Sequence, residues 1–246
     1  MKIFINGNSK ASDTIKLLKE VGTREYRINL VDNPTESDVT LNYGISNFLL
    51  SKSEQAVLFE DIISNTIIKQ ENYNIIDDYK IVVMKNPTRV LLWKDAKKEI
   101  GTKYLYVNNK MEWRINYAYG KIISILNKNI GTNIFGKSSL SQWSIERSDI
   151  INNELSRITY AIAERVEGMS NLKSFGLDII YDRDCQEFLF LELNQANSMN
   201  ENTCRLFLKA YLDTIQKDIT DIGYELTLEQ LEKIITKFIN KGVKNG

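Results

Sequence analysis

The stretch F-G-L-D-I-I-Y-D-R-D-C-Q-E-F-L-F-L-E-L-N, residues 175–194, contains two apolar runs of strand length around a short polar segment. Residues 175–181 and 187–194 are expected to be strands. The connection is too short for a crossover, so the strands must run antiparallel as a hairpin. On the second strand Glu192 and Asn194 are two apart and share a face with Phe188 and Phe190. Leu189, Leu191 and Leu193 then take the other face. Pairing Asp182 with Phe188, with 183–187 as the loop, sets Asp178 opposite Glu192. Two carboxylates facing each other across a ladder repel. A divalent cation removes that repulsion, and Asp, Glu and Asn oxygens suit magnesium, with phosphate oxygens completing the shell. The alternative is a solvated strand face that carries charges by chance.

The rest of the composition narrows the chemistry. The chain has 246 residues, 32 basic and 32 acidic, so its formal net charge is zero. Nucleic-acid binding through bulk charge is not indicated. There is no histidine, which removes His-based triads, His-ligated zinc and His general acid–base work. Cys185 and Cys204 are too few for a disulfide framework or a metal cage, and fit a reduced, cytoplasmic setting. No apolar run is long enough to span a membrane. The first residues, MKIFINGNSK, lack the long apolar region of a signal peptide and read as a strand.

Outward from the hairpin, Ile151, Leu155, Ile158, Ile162 and Val166 line one face of a helix over 150–166. Residues 111–126 are two strands around a Tyr119-Gly120 turn. Strands are also expected at 2–6, 25–30, 38–44, 79–84, 88–94 and 103–107. Helices are expected from Ser12 to about Val21, at 53–64 and near 202–217. The opening β-α-β-β order suggests a small Rossmann-like unit. A last helix starts at a Thr227–Gln230 capping box, and its apolar stripe (Leu228, Leu231, Ile234, Ile235, Phe238, Ile239) must be buried on its own chain or on a second copy. A homo-oligomer is therefore one expected state.

Residues Gly131–Ser138, G-T-N-I-F-G-K-S, satisfy the phosphate-loop pattern and would name a P-loop NTPase with Lys137 on the phosphates. The context argues otherwise. Asn127, Lys128 and Asn129 interrupt the apolar strand that such a loop needs, and the two strands found downstream are antiparallel.

The hairpin 175–194 resembles the last hairpin of ATP-grasp enzymes, in which an Asp-containing strand and a strand ending Glu-x-Asn hold magnesium on the ATP phosphates. E-W-R-I-N-Y-A-Y-G-K-I-I, 112–123, is similar to the family's E-Y-R-V-x-V-x-x-G-K-V-I at Glu112, Arg114, Gly120 and Lys121. D-V-T-L-N-Y-G, 38–44, looks like the strand and loop D-v-v-i-N-W-G of small phage-type ATP-grasp proteins. The resemblance implies an α+β ATP-grasp fold whose two lobes clasp nucleotide. An N-terminal α/β unit would occupy 1–48, a reduced central lobe 49–110, and a C-terminal lobe with the metal hairpin 111–246. It also implies an ATP- and magnesium-dependent ligase that joins a small-molecule or peptide carboxylate to an amine through an acyl phosphate.

Carried over position by position, the resemblance makes Asp178, Glu192 and Asn194 the metal ligands. It sets Arg114 on the γ-phosphate or acyl phosphate, with a cross-strand salt bridge as the alternative. Tyr104, Leu105, Tyr106 and Val107 become the hinge whose backbone meets adenine. Lys94, with Lys85 as its rival, is the candidate for the α-phosphate. Glu112 belongs to the nucleotide site, and Lys121 and Lys128 are candidates for phosphate or substrate, each with a solvated lysine as the alternative. Lys137 is a weaker candidate for a substrate contact.

Two departures stand out. The glycine-rich lid is reduced to D-A-K-K-E-I-G, 95–101, and the proline that usually follows Glu-x-Asn is replaced by Gln195-Ala196-Asn197. The short lid motivates a second reading, a non-catalytic nucleotide- or partner-binding module with the same fold.

Overall fold

The computed structural model describes residues 2–8, 11–37, 39–45, 50–63, 81–84, 89–96, 98, 100, 103–107, 109–129 and 142–221. The phosphate-loop-like segment 131–138, Lys85 and the expected helix after Thr227 lie outside these residues.

The chain opens with β1 (Lys2–Gly7), α1 (Ser12–Tyr26), β2 (Asn29–Val31) and β3 (Val39–Tyr43). β1 lies between β2 and β3, parallel to both. The helix extends further than its apolar spacing suggested. Ala11 rather than Ser12 takes the cap position, and Glu25 and Tyr26, expected in a strand, are its last turn. Tertiary contact overrides the local β signal: the Tyr26 hydroxyl donates to the Arg205 carbonyl at 2.8 Å, on the C-terminal helix α5 (Glu201–Asp221). Arg27 ends the helix in the left-handed region, φ 54°.

α2 (Lys52–Leu58) starts at a complete capping box, in which Ser51 accepts from the Glu54 N–H and Glu54 accepts from the Ser51 N–H. A small antiparallel sheet follows, of β4 (Ile81–Met84), β5 (Arg89–Leu92) and β6 (Lys103–Leu105), with β4 in the middle. The run 88–94 does not stay extended to its end: Trp93–Ala96 form a short helix, α3.

The main sheet has five antiparallel strands in the order β11-β10-β7-β8-β9. These are β7 (Lys110–Ala118), β8 (Lys121–Asn129), β9 (Gln142–Ile145), β10 (Ser174–Asp182) and β11 (Glu187–Asn194). The β7–β8 turn follows from its residues. Tyr119 and Gly120 both have positive φ, 49° and 79°, the conformation that two-residue hairpins require. β8, which leads into the phosphate-loop-like segment, has antiparallel neighbours on both sides, unlike the parallel strand a P-loop needs.

α4 (Asp149–Met169) covers one face of this sheet. Leu155, Ile158, Ile162 and Val166 pack on Trp113, Ile115, Leu177, Ile179 and Phe190, all fully buried. A second core joins α1, the parallel sheet and α5 through Leu18, Val21, Leu41, Tyr43 and Phe207. No helix among the described residues is long and apolar enough to cross a membrane.

Candidate nucleotide and metal site

The open face of the main sheet is built by alternation. β7 turns Trp113, Ile115 and Tyr117 into the core under α4, leaving Lys110, Glu112, Arg114 and Asn116 on the opposite face. β10 does the same, with Leu177 and Ile179 inward and Asp178 and Ile180 on the open side.

β11 breaks the alternation. The turn is one residue shorter than expected, because Asp182 pairs with Glu187 and Tyr181 with Phe188. Taken alone, this offset would set Asp178 opposite Leu191. A β-bulge restores the expected pairing: Ile179 faces Phe190, Asp178 faces Glu192, and Leu191 is the extra residue between them. The bulge also corrects the expected faces. Phe188 and Phe190 join Leu193 on the core side, rather than sharing a side with Glu192 and Asn194. Leu189 and Leu191 lie with Ile180 on the open side.

Asp178, Glu192 and Asn194 therefore converge. The Asn194 amide donates to Asp178 Oδ2 at 3.3 Å and to Glu192 Oε1 at 3.2 Å. Arg114, directly across the ladder from Asp178, grips it with a fork: Nε to Oδ1 at 2.7 Å and Nη2 to Oδ2 at 2.5 Å. Burial draws the guanidinium pKa down, but the bonds and charge of Asp178, with Glu112 and Tyr43 adding, together make the net shift upward. Glu192 forms an ion pair with Lys52 Nζ from α2.

One strand further, Lys128 donates to Glu112 at 2.7 Å, and both side chains are almost wholly buried. Burial lowers the pKa of neighbouring Lys110, with Lys128 adding to the effect and Glu112 opposing it. Lys121 is not part of this group. It sits at the other end of β8, roughly 20 Å along the strand, and pairs with Asp213 of α5.

The expected hinge borders the same face. Tyr104 and Val107 are buried against Ile180 and Leu189, with Leu191 packed alongside. Leu105 is in β6, and Tyr106 just after it is half-buried. Lys94 lies in α3 rather than at a strand end.

Sequence reading missed several residues that complete the site. Lys52 is one, although the S-x-x-E capping box Ser51–Glu54 marks its place in the first turn of α2. Gln55, one turn later, accepts from the Leu193 N–H at 3.0 Å on the sheet edge. Asn197 is another: its amide donates to Asn116 at 2.8 Å, and its carbonyl accepts from the hydroxyls of Tyr43 and, at 3.3 Å, Thr14. This ties the segment after Glu-x-Asn to the N-terminal unit.

Among the described residues no group of three or more His, Cys, Asp or Glu is placed to hold a metal. The donor set here is two carboxylates and an amide. Its chemistry fits a hard cation, because the three side chains meet at one point and the carboxylates already attract positive groups.

No family model and no curated protein matches the sequence. Solved structures match the fold over nearly their whole length. A D-alanine–D-alanine ligase from Bacillus anthracis complexed with ATP has a TM-score of 0.51 at 10% identity, covering 89% of this chain and 99% of that one. The ATP-grasp ligase PsnB complexed with minimal precursor has a TM-score of 0.51 at 13% identity, covering 85% of this chain and 98% of that one. The D-cycloserine synthetase DcsG has a TM-score of 0.51 at 7% identity, covering 87% of this chain and 99% of that one. The chain has the ATP-grasp fold. Within the ATP-grasp fold, β7, β10 and β11 are the strands that carry Arg114, Asp178 and the Glu192–Asn194 pair. Its α+β character agrees with the expectation from sequence.

Proposed function

We propose that this protein is an ATP- and magnesium-dependent carboxylate–amine ligase. The observation that carries the reading is the meeting of Asp178, Glu192, Asn194 and Arg114 on one sheet face, beside the apolar cluster of Tyr104, Val107, Ile180 and Leu189. The apolar cluster offers a dry surface for a base, and the hinge backbone at 104–107 its polar edge. The carboxylates and Asn194 would hold magnesium, which when bound neutralises phosphate charge. Arg114 lies beside these ligands, with a fixed planar charge suited to a transferring phosphoryl group. Lys128 and Glu112 extend the polar face one strand further.

In the proposed reaction a substrate carboxylate oxygen attacks the γ-phosphorus and ADP leaves. An amine then attacks the acyl carbon, phosphate leaves, and the amine loses a proton. Neither step needs histidine. The protein's work is positioning and charge neutralisation. The ligases among the structurally similar proteins support a small-molecule or peptide acceptor.

The test is ADP release on mixing the protein with ATP, magnesium and a panel of carboxylates and amines, peptides included. Amine-dependent ADP release accompanied by a new amide in mass spectrometry is the expected result. Nucleotide binding with no ADP release across the panel would favour the non-catalytic module suggested by the short 95–101 segment.

A further inference from the structure

Among the described residues Arg114 and Lys52 pair with the hairpin carboxylates, and they are held very differently. Arg114 grips Asp178 through two bonds across the ladder. Lys52 meets Glu192 from outside the sheet, on a flexible stem with 32% of its side chain exposed, whereas Asp178 is only 3% exposed. Its helix is fixed in place: Gln55 caps the Leu193 N–H, and Ala56 and Phe59 are in the core. The base of Lys52 is fixed, and its ammonium sits at the end of a stem with several rotatable bonds. A second partner is already within reach, since Lys52 Nζ donates to the Tyr104 hydroxyl at 3.1 Å and stands 5.7 Å from that ring's centre.

Charge points the same way. Arg114 is paired with Asp178 and Lys52 with Glu192. A divalent cation reaching these oxygens adds positive charge beside both side chains and repels them. The compact ammonium on its flexible stem yields more readily than the two-pronged guanidinium.

We infer that Lys52 is an exchangeable counter-cation of the metal site. It holds the Glu192 carboxylate while the metal is away, and moves onto Tyr104 when a divalent cation binds Glu192. This rests on the metal reading above. Lys52 is thus a positioning residue: it keeps Glu192 aimed and makes metal binding competitive. A state in which an internal ammonium holds the ligand lowers the apparent metal affinity by the fraction of time it does so.

The test is direct Mn2+ binding to the full chain without nucleotide, read from the loss of the free Mn2+ paramagnetic resonance signal. Lys52→Met keeps the stem and removes the charge, and is expected to bind Mn2+ roughly tenfold more tightly than wild type. Lys52→Arg keeps a competing cation and is expected to stay within about twofold of wild type. Equal Mn2+ affinity in wild type and Lys52→Met, with a lower melting temperature for the variant, would make Lys52 a purely structural tether and overturn the inference while the metal site stands. Absence of Mn2+ binding in all three proteins would overturn the metal reading itself, and this inference with it.

Discussion

Arg114 and Asp178 face each other across the β7–β10 ladder, and both oxygens of the carboxylate are engaged by the guanidinium. Asp178 is thereby shared between a cation on its own sheet and the Asn194 amide on the next strand. The cross-strand salt bridge is present, and it holds Arg114 beside the ligands proposed to bind metal. In the proposed ligase, an arginine anchored this way would meet a developing phosphoryl charge without first being ordered.

Replacing Arg114 separates binding from chemistry. Arg114→Met is expected to lower single-turnover ADP release on the order of 10²–10³-fold, the usual cost of removing a donor aimed at transition-state charge. Nucleotide Kd, measured separately by calorimetry, should change far less. Arg114→Lys should restore little, because an ammonium lacks the fork. Equal losses in binding and turnover would make Arg114 a ground-state binder.

Glu192 and Lys137 distinguish the hairpin from the phosphate-loop-like segment. Glu192→Gln should weaken magnesium-dependent ATP binding at least on the order of tenfold, a loss seen even for residues that only support a metal ligand. Lys137→Ala should bind ATP nearly as wild type does. Calorimetry with and without magnesium reads both, and the opposite pattern would return the P-loop to consideration.

Gly176 is required by what lies over it. A Cβ there would stand 2.1 Å from the Asn197 amide nitrogen, and that amide is buried and bonded to Asn116. Gly176→Ala should destabilise by about 1–3 kcal/mol through overpacking. Asn197→Ala, which strands a buried acceptor on Asn116, should cost a similar amount, about 1–3 kcal/mol. Combined, the two should cost less than their sum, because losing the amide makes room for the methyl group. Urea unfolding of the double-mutant cycle checks this, with an expected coupling of about 0.5–3 kcal/mol. Strict additivity would mean the two residues do not compete for the same space.

Glu146 predicts an acid limb. Burial raises its pKa, but the Trp113 indole, the Ser148 N–H, the Asn127 amide and the Arg147 N–H together outweigh that and hold it below the ordinary 4.5. A carboxyl depressed in the folded state contributes stability in full above its unfolded pKa, and loses it as pH falls through the folded value. The stability gap between wild type and Glu146→Gln should therefore be widest near neutral pH and shrink below 4.5. Urea midpoints followed by tryptophan fluorescence, which also reports the Trp113 contact, measure it. A gap that is constant with pH would rule out the carboxylate charge as its cause.

The hairpin shows what was legible in the sequence. The opposition of Asp178 and Glu192 was readable because strand period and a short connection leave few registers. The route to it was not: a turn one residue tighter than assumed and a bulge at Leu191 offset one another. Neither has a marker in F-L-F-L-E-L-N, where apolar residues fill both faces. For the same reason strict alternation puts Phe188 and Phe190 on the wrong side. Helix α1 runs beyond its apolar spacing because Tyr26 is held by α5, 179 residues away in sequence. Lys52 and Asn197 escaped notice for a related reason, since their partners Glu192 and Tyr43 are set by tertiary packing and not by local spacing.

The bulge at Leu191 also decides which length changes this protein can tolerate over evolutionary time. Residues gained or lost in the turn between Asp182 and Glu187 alter only a solvent-facing connection, because pairing is pinned further along. A single residue lost between Phe188 and Leu191 would only remove the bulge and leave Glu192 opposite Asp178, but one gained there would reverse parity for the rest of the strand. Glu192 and Asn194 would swing under α4, and Leu193 would swing out into water. Related chains should therefore vary freely in turn length yet add no residue between the strand's first aromatic and its last asparagine.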